Sequence, residues 1–194
     1  MKLADLAKAR ASRVIGIDCS SNSLAFAIFD SGEPVVCGEI EFVGSTIFQR
    51  LSDAKIKTAA LVDLGIFQAD YIGIESAVMV RNVQTAIDLA YVYGAVIGEL
   101  MEGSPVVEKV APISWQTGIG NPNLKTDEKK ALRQDFPGKS DAWYKNKGRL
   151  MRKQRTLDIA QRYFVIEDNS DNVGDAVGIA LFVSETRVLT PTEK

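Results

Sequence analysis

A chain of 194 residues, 46% hydrophobic and 25% charged, is long enough to bury a sizeable core and has the balance of a soluble globular protein. It contains no histidine, which excludes histidine acid–base catalysis and histidine metal ligation, and two cysteines, Cys19 and Cys37, are too few for a zinc site or a disulfide framework. The formal charge of −2 conceals a segregation, because residues 125–155 carry +7 and the rest of the chain carries −9.

Residues 3–11 can form a short amphipathic helix, and Met1 to Lys8 lacks the apolar core of a signal peptide. A buried strand over 13–18, rich in β-branched residues, ends in the carboxylate of Asp18. The turn Cys19-Ser20-Ser21-Asn22 either hydrogen-bonds its own backbone or offers amides to a phosphate. An apolar strand over 23–29, a Gly-Pro turn and a half-exposed strand over 35–43 complete an antiparallel meander, with the third strand at the sheet edge. The spacing of Ile47, Leu51, Ala54, Thr58, Leu61 and Leu64 predicts a helix over 45–67. Asp70 to Ala77 reads as a second buried strand, ending in the carboxylate of Glu75, which a base such as Arg81 could pair.

Asn82 to Glu102 predicts an apolar helix whose Gly94 and Gly98 favour close packing on a sheet. Its longest apolar run, interrupted by Asp88 and Glu99, is too short to span a bilayer. A fifth strand covers 106–110, a loop covers 112–123, and helices are expected over 126–134, about 145–164 and 173–185. The expectation is a cytoplasmic protein with reduced, buried thiols, forming one α/β domain over 1–194. Its mixed five-stranded sheet, three antiparallel strands then parallel ones, is flanked by helices, with a basic helical insertion at about 125–155.

Four carboxylates stand apart from ordinary surface charge. Asp18 and Glu75 end buried strands, and Asp175 lies in a helix that is apolar almost all round, with Asp171 one turn earlier. Asp171 alone is accounted for by helix capping and the helix dipole. Asp171, Asp175, Gly178 and Phe182 share one stripe, on which Gly178 would let the helix press against the sheet. Two carboxylates ~4 Å apart repel by about 4 kcal/mol at an effective dielectric near 20, so a cluster of them calls for cations. Oxygen ligands without histidine or thiolate suit Mg²⁺ or Mn²⁺, and two such ions can cleave a phosphodiester by activating water and stabilising the leaving oxygen.

The Gly16-Ile17-Asp18 strand and turn, Ile74-Glu75, and the run from Asp171 to Ala180 resemble the acidic motifs of RuvC-type Holliday junction resolvases, members of the RNase H-like superfamily. Ile113-Ser114-Trp115-Gln116 and the Asp-Asn-x-x-Asp ending resemble phage-encoded members. The resemblance implies an RNase H-like fold and a homodimeric, Mg²⁺-dependent crossover junction endodeoxyribonuclease acting in DNA recombination and repair. It implies that Asp18, Glu75 and Asp175 are catalytic metal ligands. A three-residue spacing puts Asn172 at the fourth position; a four-residue spacing puts Asp171 there, which the shared helix face favours. Gln116 stands where many family members carry a lysine, and Lys153 is a candidate for another basic position of the family.

The insertion interleaves Phe136, Trp143 and Tyr144 with cations, a pattern suited to phosphate contacts and base stacking. Lys139, Lys145, Lys147, Arg149, Arg152, Lys153 and Arg155 are the expected DNA-binding residues, gripping backbone with little base readout. Competing expectations are an RNA-processing nuclease of the same fold, a non-catalytic DNA-binding module, and an actin- or hexokinase-like nucleotide-binding protein, which normally needs two such domains.

Overall fold

The computed structural model describes residues 12–76 and 82–188. The expected helix over 3–11, Ala77 at the end of the fourth strand and the pairing of Glu75 with Arg81 lie outside the described residues. Five strands, β1 (Arg13–Cys19), β2 (Ser23–Asp30), β3 (Glu33–Glu41), β4 (Tyr71–Glu75) and β5 (Val106–Val110), form a sheet in the order β3-β2-β1-β4-β5. The pairs β1–β2 and β2–β3 are antiparallel; β1–β4 and β4–β5 are parallel. The expected mixed sheet is present, with β3 at its edge. That strand starts and ends two residues earlier than its alternation indicates. Ser31 and Gly32, at φ 55° and 85°, close a tight hairpin directly before Glu33.

The helices are α1 (Ile47–Asp63), α2 (Val83–Leu100), α3 (Pro112–Gly118), α4 (Thr126–Asp135), α5 (Asp141–Ala160) and α6 (Asp171–Val183). Thr46 and Gln49 form a reciprocal capping box that starts α1, and the turn at Gly65, φ 73°, stops it before Phe67. Helix α3 occupies what reads in sequence as a loop. Pro112 is preset for the first helical turn, and burying Trp115 completely favours closing that turn. Helix α5 starts four residues before its expected position because Ser140 accepts the Trp143 amide as N-cap. It ends at Ala160, where the chain turns to set Phe164 edge-on against Phe29. No helix among the described residues is long and apolar enough to cross a membrane.

Strand alternation divides the core. Ile15, Ile17, Leu24, Phe26, Ile28, Ile72 and Ile74 face α1 and α2, meeting Ala54, Val92, Val96 and Leu100. On the other face, Ala25, Ala27 and Phe29 meet α5 and α6 through Leu157, Ala160, Ala176, Val177 and Ala180, and Val14 joins Trp115 and Ile179. Two glycine expectations are corrected. A Cβ at Gly94 or Gly98 would meet nothing within 4 Å, so these face open space instead of the sheet. Gly178 faces the Trp115 ring, where a Cβ would lie 2.6 Å from Cζ3; it seats α3, not the sheet. The glycines that bring α6 onto the sheet are Gly16, whose added Cβ would stand 2.2 Å from the Ala176 carbonyl oxygen, and Gly73, whose Cβ would stand 2.6 Å from Val183 Cγ2.

Candidate active site

Gly16 and Asp18 alternate on the same face of β1, and Gly73 and Glu75 do so on β4. Both glycines lie under α6: Cβ atoms there would collide with Ala176 and Ala180, or with Val183 and Ile179. Asp18 and Glu75 each come one residue after the paired Ile17 and Ile74, so two carboxylates emerge side by side at the carboxyl ends of adjacent parallel strands. Helix α6 crosses above them and contributes Asp175 from its second turn. The structure thus brings Asp18, Glu75 and Asp175 together, with all three half-buried.

Their electrostatics record the crowding. Burial, then the charges of Glu75 and Glu39, push Asp18 up to about 7, against a smaller opposing pull from Lys153. Asp175 is pushed up to about 8 by burial, then by Asp18 and Glu75. Burial also raises Glu75, although its Oε1 accepts a 2.9 Å hydrogen bond from the Trp115 indole that favours the charged form. Tyr93 donates to the Glu75 carbonyl, fixing the strand end from the α2 side. Burial, then the charge of Asp18, push the Cys19 thiol up to about 12.

Asp171 sits at the rim. Its Oδ2 is 2.7 Å from Lys153 Nζ, its side chain is 44% exposed, and its charge still reaches Asp175. The N-cap of α6 is Ser170, not Asp171. Asn172 donates to Glu39 Oε1 at 2.7 Å, and Ser170 donates to Glu39 Oε2 at 2.8 Å. Glu39 lies on β3, the strand that the sequence marks as half-exposed and at the sheet edge. Registers Asp18–Ala25 and Ala25–Glu39 put it in the same cross-strand row as Asp18, on the α6 face. Burial raises its carboxyl, but hydrogen bonds from Asn172, Ser23 and Ser170 outweigh this and leave it below the ordinary range. Trp115 stands in the Ile113-Ser114-Trp115-Gln116 motif, but its contact with Glu75 was not foreseen; Gly178, which makes room for its ring, was the available signal.

The turn after Asp18 satisfies itself. Ser20 Oγ accepts from the amides of Asn22 and Ser23, and the Ser20 amide donates to the Ser23 carbonyl. Of the two uses left open for this turn, backbone hydrogen bonding is the one observed.

Among the described residues, no three Cys, Asp or Glu side chains stand as a group that could hold a metal ion. The donor chemistry nevertheless fits one. Asp18, Glu75 and Asp175 offer only hard oxygens, and burial and mutual repulsion oppose their ionisation, so a divalent cation would supply the missing counter-charge.

The basic segment folds as α4 and α5. Phe136, Trp143 and Tyr144 pack on one another, with centroids 5.2 and 5.4 Å apart, and Lys139 and Lys147 approach the Trp143 and Phe136 rings at 5.9 Å. Arg155 pairs with Glu128, and the Arg152 guanidinium donates to Gln116 Oε1. Lys145 and Arg149 are exposed on α5. Of the seven expected DNA-binding cations, Lys153 stands directly at the acids, and Arg152 beside it is joined to α3.

No protein-family model matches the chain, and no curated protein matches it in sequence. Solved structures do. The chain is similar to RuvC of T. thermophilus in complex with a Holliday junction substrate, at 12% identity and a TM-score of 0.63, over 91% of this chain and 97% of that one. It is also similar to a Thermus thermophilus RuvC structure, at 13% identity and a TM-score of 0.59, over 89% and 95%. The fold is therefore RNase H-like, with the mixed sheet and flanking helices of RuvC.

Proposed function

We propose that this chain is a Mg²⁺- or Mn²⁺-dependent endodeoxyribonuclease that cuts branched DNA, with residues 1–194 forming a single nuclease domain. The observation that carries the reading is the meeting of Asp18, Glu75 and Asp175 at the carboxyl ends of β1 and β4 beneath α6. A junction substrate is favoured by the likeness to a RuvC in complex with a Holliday junction substrate. Asp18, Glu75 and Asp175 would hold two ions, with Glu39 or Asp171 completing the oxygen set after a side-chain rotation. When bound, such ions lower the pKa of water and stabilise the leaving oxygen.

The protein's own groups do the rest. Trp115 orients Glu75, and the pairing of Asp171 with Lys153 positions an ammonium at the rim for a phosphate. Arg152, bonded to Gln116, brings a guanidinium to the place where the resemblance points to a lysine. Lys139, Lys145, Lys147, Arg149 and Arg155 extend the cationic surface that grips the backbone. Paired cuts need two sites, and a second copy would cover the exposed apolar face of Ile87 and Tyr91 on α2 with Phe48 on α1.

The test is cleavage of an end-labelled four-way junction beside a linear duplex of the same sequence, in Mg²⁺, Mn²⁺ or EDTA, by the native protein and Asp18→Asn. The expected result is symmetric, metal-dependent nicking confined to the junction, lost in Asp18→Asn while junction binding persists. No cleavage of DNA under any condition would overturn the reading and leave a binding module; cleavage of RNA substrates alone would make it an RNA-processing nuclease.

A further inference from the structure

A cavity of about 860 Å³ opens between the loop after α3, α4 and α5, outside the carboxylate site. Its walls include the apolar faces of Leu124 and Leu132 and the buried ring of Tyr144. Gly148 lets α5 close on Leu124, since a Cβ there would lie 2.9 Å from Leu124 Cδ1. Five cations line it. Arg133 is paired with the lining acid Asp141. Lys129, Lys145 and Arg149 have no carboxylate within 4 Å among the described residues. Arg152 also lines it, with its guanidinium donating to Gln116 Oε1.

The volume falls within the range of small-molecule sites and exceeds what a bare phosphate needs. An apolar and aromatic wall facing a cationic one matches a planar base joined to a phosphate. Location adds to this. Arg152 lines the cavity, and the next residue on α5, Lys153, pairs with Asp171 at the acid cluster.

We propose that this cavity binds one unpaired nucleotide of the DNA, with its base against Leu124, Leu132 and Tyr144 and its phosphate on Arg149 and Arg152. This rests on the nuclease reading for its substrate class, and it gives the base stacking expected of this segment a particular site. A free nucleotide has the same chemistry and is the alternative source.

The test is fluorescence anisotropy of the full chain in EDTA with three labelled duplexes: fully paired, with a one-nucleotide bulge, and with an abasic bulge. The expected result is binding to the bulge about tenfold tighter than to paired duplex, the low end of what stacking one base contributes. The abasic bulge would lose that preference. Ala142→Trp and Asn146→Trp, both exposed cavity-lining positions, would abolish it while leaving paired-duplex affinity unchanged and circular dichroism native. Equal binding of all three duplexes would overturn the proposal, as would a preference untouched by both tryptophans. Deoxyadenosine monophosphate binding more tightly than the bulge would assign the cavity to free nucleotides and overturn the DNA-strand source. Cleavage without bulge preference would sink this inference alone; bulge preference without cleavage would sink the nuclease reading alone.

Discussion

Replacing Asp175 by Asn removes a charge that the fold holds at a cost. The carboxyl is pushed from 3.8 to about 8 by burial and by the charges of Asp18 and Glu75. Because the folded value lies above the unfolded one, the folded state retains the proton more tightly. Stability is therefore greatest at acid pH and falls as pH rises from about 4 through 8. Holding the ionised group at pH 8 corresponds to a ceiling of about 5 kcal/mol, at roughly 1.4 kcal/mol per tenfold change. Solvent reaches the half-buried side chain and screens this to about 1–3 kcal/mol. For a chain of this length the gain in Asp175→Asn translates into a rise in Tm of about 2–10 °C. Differential scanning fluorimetry in EDTA at pH 8 measures it. At pH 5 the gain should shrink to within about 1 kcal/mol, because the native group is already mostly protonated. Mg²⁺ should stabilise the native protein at pH 8 by mass action and the variant far less. Equal Tm changes at pH 5 and pH 8 would refute the electrostatic reasoning, whatever their size.

Gly16→Ala should destabilise by more than about 3 kcal/mol or prevent folding, because its Cβ would meet backbone of α6 at 2.2 and 2.4 Å, and urea denaturation measures the loss. Trp115→Phe removes the donor to Glu75 from a fully buried site and should cost about 1.5–3 kcal/mol by the same assay. It should also raise the Glu75 carboxyl further, read as weaker Mg²⁺ stabilisation; unchanged Mg²⁺ stabilisation would show that the indole does not orient that acid. Lys153→Met removes the cation whose charge favours ionised Asp18 and Asp175. The variant in EDTA should lose up to about 1 kcal/mol at pH 8 and little at pH 5; the reverse pH dependence would contradict the placement of Lys153.

The sheet was legible in the sequence because its signals are local. A β-branched run, a Gly-containing turn and period-two alternation fix strand identity within a few residues, and the connection lengths dictate which pairs run antiparallel and which parallel. Asp18, Glu75 and Asp175 were legible for a related reason. A carboxylate in an apolar run has no local partner, so its presence signals a distant one. Helix α3 was not legible, because Pro112, Gly118 and Gly120 mark a loop unless Trp115 has a pocket to fill, and that pocket is made by Gly178 some sixty positions away.

Local pattern is enough to reveal the five strands, five of the six helices among the described residues and the three acids in apolar runs. The neighbours of those acids come from packing. Glu39 reads as a solvated edge residue because alternation reports which residues share a face, not what covers it. The register through Ala25 carries Glu39 into the Asp18 row, and α6 then supplies Ser170 and Asn172 to hold it. Spacing admitted either Asp171 or Asn172 at the fourth position, and the shared helix face favoured Asp171. Packing separated them by turning one to Lys153 and the other to Glu39. The cavity in the basic segment arises in the same way, from α5 closing on the loop after α3 at Gly148. Contacts between residues far apart in the chain depend on how layers stack, and no periodicity within a single element encodes that.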